Sequence, residues 1–290
     1  MSIASIPVMA LVRDSRDRHV LFIGECHVPD EASAFMLQRL VDALSAVGAM
    51  ILLERPQFTK TQRLLMGGAP DTMRAGNVSP IAYVGLHAPG DQTCVGVGDC
   101  AAGPESHNYL FADPRTVMTQ SAHTILAEYR SATTRMQGIM LQALSDSLWD
   151  LMHGLCTCRK ECVAALRYED SEHCAWNRLA QSMYESLLRT AMTHSRFCSR
   201  AMTEDVPPSA ADLEATLDVR NALDVVMTST LAALPARNAV YMTGYNHTDD
   251  VLKMIYQLPS LHVLWEVRGE SCGLSIADLR YALAEEPAHL

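Results

Sequence analysis

The sequence predicts an α/β fold with a mostly parallel central sheet flanked by helices and a large helical insertion or cap in the middle third of the chain. Apolar runs of strand length end in Gly or an acidic residue, and a segment of helical period separates the first two. A G-x-x-H sequence also closes an apolar run near each end of the chain. Runs that are apolar throughout are what strands buried on both faces require, because helices cover both sides of a parallel sheet.

The first such run is His19–Glu25 (HVLFIGE). From Asp30 to Val47 the residues Phe35, Leu37, Leu40, Val41, Leu44 and Val47 recur at three and four behind an acidic start, which predicts a helix. Ala49–Glu54 (AMILLE) repeats the strand pattern and completes a βαβ unit with an expected right-handed crossover. Further strands are expected at Thr93–Asp99, Asn238–Gly244 and His262–Val267. Between Gly67 and Asp91 the Gly, Pro and Asn residues thicken into a loop with room for one helical turn. From Pro114 to about Arg200 the pattern is helical, as in Met136–Leu155 and Trp176–Thr193, so residues 114–206 read as the insertion. Pro207 and Pro208 break it, and Ser209 with Asp212 three residues on starts a helix reaching about Leu234.

At 290 residues a chain of this class builds one elaborated core, so residues 1–290 read as a single domain. With 49% hydrophobic and 19% charged residues the composition is that of a globular protein. Asp and Glu outnumber Lys and Arg by 33 to 23, the formal charge is -10, and no basic run tracks a phosphate backbone, which argues against nucleic acid as a partner. The first twenty residues lack the pattern of a secretory leader, and the longest apolar run, Ala43–Leu53, is too short to span a bilayer. The expectation is a cytoplasmic protein with no membrane association. Nine scattered cysteines, an odd number, fit a reducing compartment better than a disulfide framework.

The chemistry concentrates at strand ends. Gly24-Glu25-Cys26-His27 and Gly244-Tyr245-Asn246-His247 each follow an apolar strand and precede a helix, while Glu54 and Asp99 close two other strands. Ligand crevices in open α/β sheets lie outside the carboxyl ends of the strands, where these groups would gather. Two imidazoles with carboxylates hold a divalent metal with an open position, or act as general base and orienting partner for a water. Both routes lead to hydrolysis. The plainer alternatives are a histidine that only caps its helix, a surface ion pair between Glu54 and Arg55, and a simple turn around Asp99 with Gly96, Gly98 and Gly103. Those glycines do not make a dinucleotide fingerprint, since the third is misplaced. His153, Cys156, Cys158 and Cys162, with His173 and Cys174 beyond, have ligand character but match no paired C-x-x-C module, so buried thiols compete with a structural zinc there.

The motifs GECH at Gly24–His27, LLERP around Glu54, VRNALDVVM from Val219 to Met227 and GYNH at Gly244–His247 resemble the superfamily of TraB-like proteins, Tiki proteases, erythromycin esterases and ChaN-like haem-binding lipoproteins. The resemblance covers roughly residues 18–56 and 215–265 and leaves the middle third unmatched. It implies a hydrolase with Glu25, His27, Glu54, Arg220 and His247 in one crevice, Arg220 stabilising developing negative charge. Because buried charges of both signs must pair, Arg220 is expected within salt-bridge reach of Glu25 or Glu54. A divalent metal (Mn, Co or Zn) held by His27, His247 and Glu54 is implied as cofactor, with a small molecule or peptide as substrate. The alternative is a non-catalytic binding or structural member, binding haem through a histidine or Tyr245. A homo-oligomer is compatible with either. Within the superfamily Tiki proteins act as metal-dependent peptidases, erythromycin esterases open lactones with a histidine base, and ChaN-like proteins bind haem, so fold alone does not choose.

Overall fold

The computed structural model describes residues 6–54, 75–87, 109–111, 174–203, 220–233 and 238–269. In chain order these form β1 (Val8–Asp14), β2 (His19–Glu25), α1 (Glu31–Ser45), β3 (Met50–Leu53), a short 3-10 turn (Ala75–Asn77), α2 (Pro80–His87) and β4 (Tyr109–Phe111). There follow α3 (Ala175–Thr203), α4 (Arg220–Ala233), β5 (Ala239–Gly244), α5 (Tyr245–Ile255) and β6 (Leu261–Arg268).

The strands make one sheet in the order β4-β3-β5-β2-β1-β6. β3 pairs in parallel with β4 and β5, and β5 in parallel with β2, whereas β1 runs antiparallel to both β2 and β6. The expected mostly parallel sheet is therefore a mixed one. Its antiparallel half comes from the Val8–Asp14 strand, which the sequence reading did not anticipate, and that strand places the His262–Val267 segment in an antiparallel pairing. A polar stretch, Asp14–Arg18, turns the chain tightly between β1 and β2, with Asp17 at φ 60 and the Asp14 carboxylate accepting from the backbone N–H of Arg16 and Arg18. Such a cluster between two apolar runs is a hairpin signal. The strand expected at Thr93–Asp99, Asp99 itself, and His153, Cys156, Cys158 and Cys162 lie outside the described residues. So do most of residues 114–206, of which α3 is the described part.

Alternate residues of each strand feed two cores. Val8, Ala10, Val12, Phe22, Leu52 and Tyr241 face a layer built from α3, α4 and α5. Met9, Leu11, Leu21, Ile23, Ile51 and Met242 face α1 and α2. The period of two in β-structure gives this partition directly, and apolar residues on both faces make the runs continuous. Helix α1 starts as its sequence requires: Asp30 accepts from the backbone of Ala32 and Ser33, and Leu37, Leu40, Val41 and Leu44 form its buried stripe.

At the end of the sheet where β2 begins, Trp176 opens α3 and fills the first core. Its ring stacks on Phe22 at 6.2 Å, Arg18 lies over it at 5.8 Å, and its indole N–H donates to Asp14 at 2.9 Å. Arg18 donates to the Leu231 carbonyl, and burial pulls its guanidinium down to about 10 against the opposing pull of Asp14. Trp176→Ala should cost about 3–5 kcal/mol of stability, read from urea unfolding, because it removes a fully buried ring and leaves Asp14 short of a donor.

Among the described residues no helix is long and apolar enough to cross a membrane.

Candidate functional site

β5 lies between β2 and β3, and the helices that follow β2 and β5 pass to opposite faces of the sheet, α1 to one core and α5 to the other. Such a divergence at the carboxyl ends of neighbouring parallel strands is the position where α/β folds bind ligands. Glu25 ends β2 in register with Gly244, which ends β5, and Glu54 follows β3 with its N–H on the Met242 carbonyl.

The carboxylates are fixed by backbone donors at helix starts. Glu25 Oε2 accepts from the N–H of Ile81, second residue of α2, at 2.8 Å. Pro80 occupies the first position of that helix and Ser79 Oγ lies 3.4 Å from the Ala82 N–H, a start signal within the stretch read from sequence as loop. Glu54 Oε2 accepts from the Gly244 N–H at 2.5 Å, at the N-terminus of α5. The positive ends of two helices thus compensate two carboxylates that are otherwise almost wholly buried, Glu25 at 1% and Glu54 at 6% exposure.

The imidazoles complete the group. His27 sits at φ 54, in the left-handed region that costs a non-glycine residue about 1–2 kcal/mol, and so turns back on Glu25 two residues earlier. Its Nδ1 lies 2.8 Å from Glu25 Oε1 and its Nε2 3.7 Å from Glu54 Oε2. His247, in the first turn of α5, places Nε2 3.5 Å from Glu54 Oε1 and Nδ1 3.0 Å from Asp224 Oδ1 on α4. The order is Glu25, His27, Glu54, His247, Asp224, with Glu54 at the centre. A buried hydrogen bond between Thr243 and Thr248 pins the start of α5 to the end of β5.

The two histidines differ in access. The His27 side chain is 45% exposed and that of His247 5%. Asp224 is fully buried, and burial pushes its carboxyl up to about 6 in spite of the bond to His247. Its Oδ2 has no hydrogen-bond partner among the described residues.

Of the five residues expected to converge, Glu25, His27, Glu54 and His247 do so. Arg220 is the first residue of α4, and its side chain lies outside the described residues. Tyr245 is half-buried against the first core. The described part of the expected cap, α3, packs with α4 on one face of the sheet. Sequence reasoning missed Asp224. Its one local trace is an acid one turn beyond Arg220 among the buried apolar residues Val225, Met227 and Leu231, which does not point to His247. Cys26, between Glu25 and His27, is an exposed free thiol.

The residues implied as metal ligands are oriented in a recognisable way. Both Nδ1 atoms face carboxylates, which fixes the imidazoles and leaves Nε2 toward Glu54, the carboxylate-histidine pattern found behind metal ligands. Among the described residues, however, no three His, Cys, Asp or Glu side chains form a group that could hold a metal ion. Comparison of the chain with protein-family models, with curated proteins and with solved structures gives no match.

Proposed function

We propose that the chain is a hydrolase acting on an ester or peptide bond, with His27 as general base at the mouth of the crevice. The observation that carries this is the pairing of His27 with two fixed carboxylates, Nδ1 on Glu25 and Nε2 toward Glu54, in a half-exposed imidazole. A carboxylate only accepts, so Glu25 holds the proton on Nδ1 and leaves the Nε2 lone pair to take a proton from a water. Glu25 then stabilises the imidazolium that forms, as the aspartate of a catalytic triad does. Glu54, beside Nε2, orients that water. Arg220 is assigned, through the motif resemblance, to meet negative charge on the substrate carbonyl oxygen. The sheet with helices on both faces supports a crevice of this kind in the α/β class.

The converging Nε2 atoms favour a second reading in which His27, His247 and Glu54 hold Mn, Co or Zn. A bound cation would polarise the scissile carbonyl and lower the pKa of a bound water. Chelation separates the two routes. Turnover that survives exhaustive treatment with a chelator indicates the histidine-base route, and loss restored by Mn, Co or Zn indicates the metal route. The substrate screen uses chromogenic aryl esters, lactones and quenched fluorescent peptides, each with and without those metals. Absence of turnover throughout would refute the hydrolase, and a Soret shift on haem titration would then point to the binding alternative.

A further inference from the structure

Asp224 is a buried carboxylate that bonds through one oxygen only among the described residues. It is 0% exposed, its Oδ1 lies 3.0 Å from His247 Nδ1, and its Oδ2 has no partner among the described residues. Glu25, its counterpart on His27, uses both oxygens, one on the imidazole and one on the Ile81 N–H. Buried polar atoms are nearly always hydrogen-bonded, and an unsatisfied charged one destabilises the folded state. A residue kept at such a cost is expected where function requires it.

We infer that Asp224 is a positioning residue, which fixes His247 with its proton on Nδ1 and thereby turns Nε2 onto Glu54 at the expense of fold stability. The geometry leaves little else for it to do. Thr228 Oγ1 bonds the Asp224 carbonyl and not its carboxylate. Held from behind, His247 presents its Nε2 lone pair to Glu54 Oε1 at 3.5 Å, two acceptors that a shared donor such as a water would bridge, while the Gly244 N–H supports Oε2. His247 is nearly closed to solvent and His27 is not, so His247 orients its Nε2 beside Glu54 from within while His27 meets the substrate.

The kinetic part of this inference rests on the hydrolase reading, and the rest does not. The experiment compares the full chain with Asp224→Asn, a near-isosteric change that removes the charge. Three quantities are read: the urea midpoint, the His247 tautomer from nitrogen-15 shifts of histidine-labelled protein at alkaline pH, and kcat and KM on any substrate found. Expected are an unchanged or higher midpoint and a His247 shifted from the Nδ1–H form to a mixture. Expected with them is a kcat lower by roughly 10- to 100-fold at constant KM. A merely structural role predicts the reverse, a lower midpoint or loss of folding with the tautomer unmoved, and that result overturns the inference. An unmoved tautomer at any midpoint, or a shifted tautomer with kcat unchanged, overturns it as well. If the unaltered chain hydrolyses nothing, the proposed function fails, while the tautomer and midpoint still decide the role of Asp224.

Discussion

Changing His27 to Asn is expected to lower kcat by about 1,000-fold while leaving the folding free energy within about 0.5 kcal/mol. The first half follows from removing the one site imidazole with substantial access to solvent, its Nδ1 already committed to Glu25. Proton removal from water would then fall to a group with no suitable base, and positioned general bases are worth factors of this size. The second half follows from exposure and backbone. The side chain is 45% exposed, so little packing is lost, and Asn tolerates the left-handed conformation at φ 54 as well as His does. Stopped assays on the best substrate, with a urea curve on the same preparation, test both halves. A variant that keeps its full rate removes His27 from the chemistry, and one that unfolds makes His27 a structural residue.

The legibility of this site in the sequence depended on where each residue sits relative to a pattern. β2, β3 and β5 carry continuous apolar runs, so their ends, and with them Glu25, Glu54 and Gly244, are legible in the sequence itself. The two histidines followed because each G-x-x-H hangs from such an end. β1 was missed although Val8–Val12 is as apolar as the others, because the short polar turn after it does not leave room for the crossover that a parallel unit needs. The antiparallel half of the sheet went with it. α2 was concealed by the Gly and Pro content around it, while the Ser79-Pro80 start that makes its first N–H groups available to Glu25 spans only two residues. Asp224 was illegible for a different reason. Its role exists only once α4 and α5 are packed together, and no local spacing connects it to His247, which stands 23 residues on.

The glycines of the two G-x-x-H motifs are expected to fail in opposite ways when changed to alanine, Gly24→Ala losing stability and Gly244→Ala losing activity. A Cβ at Gly24 would stand 2.5 Å from Val8 Cγ1 and 3.0 Å from Thr248 Cβ. Both neighbours are completely buried and β-branched, hence stiff, so relief must come from moving β1 or α5. Overpacking of this kind costs about 1–3 kcal/mol. At Gly244 the backbone, at φ -57 and ψ 151, suits alanine, and the clash falls on the functional group instead. The new Cβ would stand 2.6 Å from His27 Nε2 and 3.3 Å from Glu54 Oε2. His27 is half-exposed and can swing outward, so the fold yields cheaply while the imidazole leaves its line with Glu54. A displacement near 1 Å in a catalytic group costs about 100-fold in rate. Urea midpoints and kcat for the two single variants make the test. Gly244→Ala with its full rate would show that Glu54 and His27 need not stay close for turnover. Gly24→Ala with an unchanged midpoint would show that the β1 and α5 contacts yield more readily than their burial implies.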